Sequence, residues 1–123
     1  MEKIILDTNI LIEILKNNTD TIKEVEKYNH HYISSITKME LFYGARDKKE
    51  LEKLNDFVSL FTVIPINEAI SNLAEDLVYK YAKSHTLDIP DSLIASTSLY
   101  FGYNLFTYNK KDFKYIDNIN LSK

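Results

Sequence analysis

The stretch KIILDTNILIEIL, residues 3–15, decides the fold. Lys3 to Leu6 is a short apolar run rich in β-branched residues that stops at Asp7, as a central strand buried on both faces does. From Thr8 the period changes, and Ile10, Leu11, Ile14 and Leu15 recur at helical spacing with Thr8 placed to cap the helix. The alternation then repeats along the chain. Residues 20–28 read as a second helix, ended by the polar run Asn29, His30, His31, so that the first two helices form a hairpin. Residues 32–35 (YISS) read as a strand, and residues 36–43 (ITKMELFY) as a helix closed by Gly44. A charged helix over residues 47–60 follows, with Leu51, Leu54, Phe57 and Val58 on its apolar face. Residues 62–66 (TVIPI) are strand-like, with Pro65 marking an end or an edge. Asn67 caps a long helix to about Lys83, Pro90 breaks the chain, and residues 92–101 form a helix stopped by Gly102. A strand at residues 104–107 (NLFT) and a last one at 119–121 complete the pattern.

Short apolar strands separated by helices predict a single three-layer α/β/α domain over residues 1–123, with a mainly parallel sheet covered on both faces. A chain of 123 residues has room for one modest core and no second domain. Its 45% apolar and 27% charged residues describe a folded globular protein. Having no Cys, it has no disulfide, thiolate nucleophile or zinc–thiolate site. Apolar runs of only a few residues predict neither a signal peptide nor a membrane span, hence a cytoplasmic protein. The formal charge of −3 argues against holding nucleic acid by blanket phosphate neutralisation. It leaves a nuclease open, because bound divalent cations add charge that the count omits.

Parallel sheets place ligands beyond the carboxyl ends of their strands, and four acids fall there. Asp7 follows the first strand. Glu40 lies in the helix after the second, among Ile36, Met39, Leu41, Phe42 and Tyr43, where an acid needs a partner. Asp91 stands after Pro90, and Asp112 follows the NLFT strand in the loop YNKKDF. Clustered carboxylates repel one another, and a hard divalent cation held by oxygen ligands is the physical reason to tolerate them.

At these residues the sequence resembles the PIN-domain family, and within it the small VapC-like toxins of toxin–antitoxin pairs. The matching strings are LDTNILIEIL (6–15), SSITKMELFYG (34–44), IPDSLIAS (89–96) and LFTYNKKDF (105–113), in the family's order and across essentially the whole chain. By resemblance, Asp7, Glu40 and Asp91 match the three central acids and Asp112 the more variable fourth, with Asn109 close enough to compete for that role. Asn9 matches the polar residue that supports the first acid, and Thr107 a hydroxyl beside the site. The resemblance implies an Mg2+- or Mn2+-dependent endoribonuclease, homodimeric, inhibited by a cognate antitoxin protein. It also implies a groove by the helical hairpin (Ile10, Leu11, Ile14, Ile22, Val25) and the ITKMELFY helix that receives the antitoxin. Lys38, Arg46, Lys110 and Lys111 are the bases placed to meet the RNA backbone.

Each feature also has a plainer reading. Asp91 suits a helix cap or first-turn acid, Asp112 a solvated loop, and the four bases a solvated rim. Asp88 reads as a loop acid, and Glu13 as a neighbour of Asn9 on one helix face. His30, His31 and His85 lack metal-ligand spacing and read as surface groups. Phe42, Tyr43, Phe57, Phe61, Tyr79, Tyr81, Tyr100 and Phe101 read as core stripes with no substrate role. Three competing functions remain: a non-catalytic PIN-like binding module, a housekeeping PIN nuclease without antitoxin, and a haloacid-dehalogenase-like phosphatase using Asp7 as nucleophile. The last needs a second acid two residues on, where this chain has Asn9.

Overall fold

A computed structural model describes residues 3–122. Strands β1 (Lys3–Leu6), β2 (His30–Ser34), β3 (Thr62–Ile64) and β4 (Asn104–Phe106) form one sheet in the order β3-β2-β1-β4. Every pairing is parallel; Ile5 sits between Tyr32 of β2 and Leu105 of β4. Successive strand residues face opposite ways, so β1 feeds both sides of the sheet. Ile4 and Leu6 pack with Ile10, Leu11, Val25, Ile33 and Phe106 on one side. Ile5 packs with Leu105, Ile70, Leu77, Ile94 and Phe113 on the other. Helices α1 (Thr8–Leu15), α2 (Thr19–Glu26), α3 (Ser35–Tyr43) and α4 (Lys48–Val58) precede β3; α5 (Glu68–His85) and α6 (Ile89–Phe101) follow it. The predicted three-layer α/β/α architecture with a parallel sheet is the one observed.

The boundaries differ where two cap-forming residues compete. Asp7, not Thr8, caps α1: its backbone is extended and its side chain accepts from Thr8 N. The strand ladder explains this, because Asp7 N donates to Phe106 O at 3.0 Å and so still belongs to the sheet. Likewise α6 begins at Ile89 rather than Ser92, with Asp88 as its cap rather than a loop acid. Pro90 lies within the first turn, where the missing N–H costs nothing. Asn67 caps α5 as expected, accepting from Ile70 N at 2.8 Å.

Strand β2 begins at His30, so both histidines lie in the sheet, and His31 Nε2 meets Val25 O at 2.9 Å. Strand β3 stops before Pro65, and residues 119–121 supply a single parallel bridge, Leu105 to Leu121, rather than a strand. Of the glycines, only Gly102 takes a left-handed φ (+70°); Gly44 ends α3 in right-handed backbone. Residue 112 sits in a short 3-10 turn, Lys110–Asp112, not a loop. The apolar hairpin residues largely fill the core instead of a groove: Ile10, Leu11 and Val25 are buried. Tyr43 and Tyr79 are 94% and 95% exposed, and Tyr100 and Phe101 are also exposed, so these four leave the predicted core stripes.

Candidate active site

The carboxyl end of β1 delivers Asp7 to the middle of the sheet edge. Its carboxylate is buried and carries three donors: Thr8 N at 2.8 Å on Oδ1, with Thr107 Oγ1 at 2.7 Å and Asn9 Nδ2 at 3.2 Å on Oδ2. Burial pushes its pKa up, the three donors pull it down, and the Asp112 charge pushes it up again. Thr107, just past β4, is fully buried and also accepts from Asn109 N at 3.0 Å. Asn9 turns its other amide atom to Tyr108 N at 3.2 Å, tying α1 to the segment after β4. Asn9 and Thr107 therefore both donate to the Asp7 carboxylate. Asn109 touches the site through its backbone.

Thr8 joins two of the acids. Its N–H is on Asp7, and its hydroxyl donates to Glu40 Oε1 at 2.7 Å, with Thr37 Oγ1 at 3.3 Å. Glu40 is exposed, as are Met39 and Tyr43, whereas Leu41 is buried and Ile36 and Phe42 are half-buried, so the apolar string is split between core and solvent and Glu40 lies on its solvent side. What holds Glu40 is this cross-helix bond, a contact that sequence spacing did not signal.

Asp91 occupies the first turn of α6, and its N–H donates to the cap Asp88 at 2.9 Å. Its carboxyl is pushed up to about 7, by burial first and then by the charges of Asp88, Asp7, Asp112 and Glu40. All four predicted acids thus share one field, together with Asp88. Among the described residues no three acidic or histidine side chains are already drawn around a common point as a filled metal site would have them. The arrangement is an all-oxygen donor set under mutual repulsion, which suits a hard divalent cation. Asp112 is half-buried in its turn, with its N–H on Asn109 O at 2.9 Å.

The predicted bases divide. Lys110 and Lys111 flank Asp112 in the turn. Lys38 lies over the Phe42 ring, 5.7 Å from its centroid, and Arg46 grips Glu50 through Nε and Nη2 at 3.0 and 2.7 Å. Glu13 turns away to Asn18 at 3.0 Å and Lys16 at 3.6 Å, so it takes no part in the site.

Comparison with known proteins identifies the family. A ribonuclease VapC1 of Rickettsia felis is 34% identical, covering 94% of this chain and 92% of the relative. A tRNA(fMet)-specific endonuclease VapC of Shigella flexneri is 31% identical over 93% of this chain and 92% of its own. Among solved structures, a DNA-bound VapBC of Salmonella typhimurium superposes with a TM-score of 0.83 at 29% identity, covering 99% of this chain and 98% of that one. The PIN domain family model matches residues 4–119, so the strand-end acids have their setting: the chain belongs to the PIN-domain family.

Proposed function

We propose that this chain is a divalent-metal-dependent endoribonuclease that hydrolyses RNA phosphodiester bonds, acting in the cytoplasm as the toxin of a toxin–antitoxin pair. Asp7, Glu40 and Asp91 are the central metal-binding acids, and Asp112 completes the set. The observation that carries the reading is geometric: at the carboxyl edge of a parallel sheet Asp7 is held by Thr8, Asn9 and Thr107, Thr8 also donates to Glu40, and Asp91 stands in the first turn of α6. Magnesium or manganese bound there would lower the pKa of a water and offset the charge of the phosphodiester under attack.

The residues divide the remaining work. A carboxylate offers about four acceptor positions, and Asp7 has three filled by Thr8, Asn9 and Thr107, which leaves one on Oδ1 for an ion. Because those donors come from α1 and from the end of β4, the sheet itself sets the orientation of Asp7. Thr8, whose N–H is on Asp7, also holds Glu40 through its hydroxyl. Lys110 and Lys111, beside Asp112, are placed to position the RNA backbone, while Arg46 is engaged with Glu50.

Asn9 donates to Asp7 instead of supplying a second acid, which counts against the phosphatase reading. The complete set of acids counts against a purely non-catalytic module, and relatives at 31–34% identity carry ribonuclease or endonuclease names. A toxin–antitoxin complex from Klebsiella pneumoniae superposes with a TM-score of 0.79 at 28% identity, which supports a cognate antitoxin as partner. Among the described residues no helix is long and apolar enough to cross a membrane. An apolar groove of about 610 Å³ between α5 and α6, with Val78, Tyr79, Ile89 and Leu93 on its walls, supports a homodimer.

The deciding measurement is RNA cleavage by the purified chain with magnesium or manganese, with chelator, and with the Asp7→Asn variant. Cleavage confined to the unsubstituted protein with metal is expected. Equal cleavage by Asp7→Asn, or none under any condition, would overturn the reading.

A further inference from the structure

The corner between α5 and α6 carries an ordered aromatic feature that the acids do not use. At the end of α5 the His85 ring lies flat on Tyr115, with centroids 4.0 Å apart and planes 11° from parallel. Tyr81, one turn earlier, meets both rings edge-on at 5.6 and 5.0 Å. Tyr81 is buried and its hydroxyl accepts from Asp117 N at 3.4 Å, whereas His85 is exposed. The stack is therefore backed from inside and opens to solvent. Ser84 Oγ sits 2.8 Å from His85 Nδ1 and fixes the edge of the ring.

The backbone adds to this order. Thr86, next in the chain, has φ 55° and ψ 37°, and its hydroxyl donates to His85 O at 2.6 Å. A β-branched residue in the left-handed region is strained, and such strain persists where the surroundings dictate it, often beside functional sites.

Location gives the stack a purpose. His85 stands three residues before the α6 cap Asp88, and Tyr115 three residues after Asp112. The Tyr115 hydroxyl is buried without a hydrogen-bond partner among the described residues, and it feels the charges of Asp91, Asp112 and Asp88. The stack thus bridges the two segments that bring the last two acids to the site. A surface histidine needs none of this support, and a core pair would not leave one ring in water.

We infer that His85 is a stacking shelf for an unpaired base of the substrate RNA, beside the phosphate that the acids address. The inference rests on the ribonuclease reading. Every base has a π-face, and proteins that hold single-stranded RNA stack unpaired bases on aromatic or histidine rings. A ring already fixed by Tyr115 loses little further rotamer freedom on binding. With a net charge of −3 the chain has little capacity for phosphate neutralisation, and stacking supplies affinity that salt does not screen.

The test uses the full chain and short single-stranded RNA carrying 2-aminopurine at successive positions. With the cleavage-silenced Asp7→Asn protein and intact His85, fluorescence at one position should be quenched on binding. In the active background His85→Ala should raise KM by about tenfold, the scale of one lost stacking contact, with the loss falling on KM rather than kcat. His85→Phe, which keeps a flat ring, should restore KM. Unquenched 2-aminopurine at every position, an unchanged KM in His85→Ala, or equal loss in the Ala and Phe variants would overturn the shelf. If the unsubstituted chain neither binds nor cleaves RNA, it is the ribonuclease reading that falls.

Discussion

Asp7 is buried yet accepts three hydrogen bonds, and these donors offset part of the loss of water that pushes its carboxyl up. Thr107→Val keeps the shape and removes the donor with the largest lowering effect on the carboxyl. It should destabilise the fold by about 2 kcal/mol, the scale of one hydrogen bond to a charged group, as read by denaturant melts. RNA cleavage should fall about 10- to 100-fold, as for other residues that orient metal-binding side chains. At Asp91 the sign of the pH dependence can be worked out. Its folded pKa is raised to about 7 from 3.8, so between those values the folded chain holds a proton that the unfolded chain has released. That contribution is fully present below about pH 4 and is lost as the pH rises through 7. In chelator, melting temperatures should therefore decline across this window, and Asp91→Asn should flatten the decline. A wild-type profile as flat as the variant's would show that neither burial nor the neighbouring acids raise Asp91.

Helix ends carry both the site and most of the boundary differences. Thr86 closes α5 in left-handed backbone where only glycine is free of strain. Thr86→Gly should raise stability by about 1 kcal/mol, the cost of that conformation less the extra entropy of an unfolded glycine; a lower denaturant midpoint would show the strain to be absent. Elements of this kind were largely legible in the sequence. KIIL announces its strand by composition, and the apolar spacing of α5 its helix. Caps were harder, because Asp7 and Thr8 are both cap formers and only the bond from Asp7 N to Phe106 O assigns Asp7 to the strand end. Asp88 escapes a sequence reading because Pro90 reads as a breaker, although proline is tolerated in a first turn. Asp7, Glu40, Asp91 and Asp112 stand out in the sequence by their strand-exit and helix-entry positions, and the family strings add to that reading. The Thr8 bridge to Glu40 and the His85–Tyr115 stack join residues 32 and 30 positions apart, and no local periodicity encodes such contacts.

At the scale of the whole molecule, the parallel sheet concentrates carboxylates at one edge of a chain whose net charge is already −3. The metal-free fold is strained there, and its stability should depend on metal. Above pH 7 Asp91 is ionised, and Asp91→Asn removes its charge while keeping its shape. The helix cap is untouched, since Asp88 supplies it and Asp91 contributes only a backbone N–H. A first-turn acid normally gains about 0.3–1 kcal/mol from the helix dipole, but a pKa raised to about 7 means that burial and repulsion outweigh that gain. In chelator at pH 8 the variant should therefore melt higher than the unsubstituted protein. Magnesium or manganese should reverse the order, because an ion bound only by the folded state adds about 2.7 kcal/mol at a hundredfold excess over its Kd. If Asp91 served only the helix, the variant would melt lower in both conditions and the unsubstituted protein would ignore the ion. Paired melting curves with and without metal separate the two outcomes without any knowledge of the RNA target.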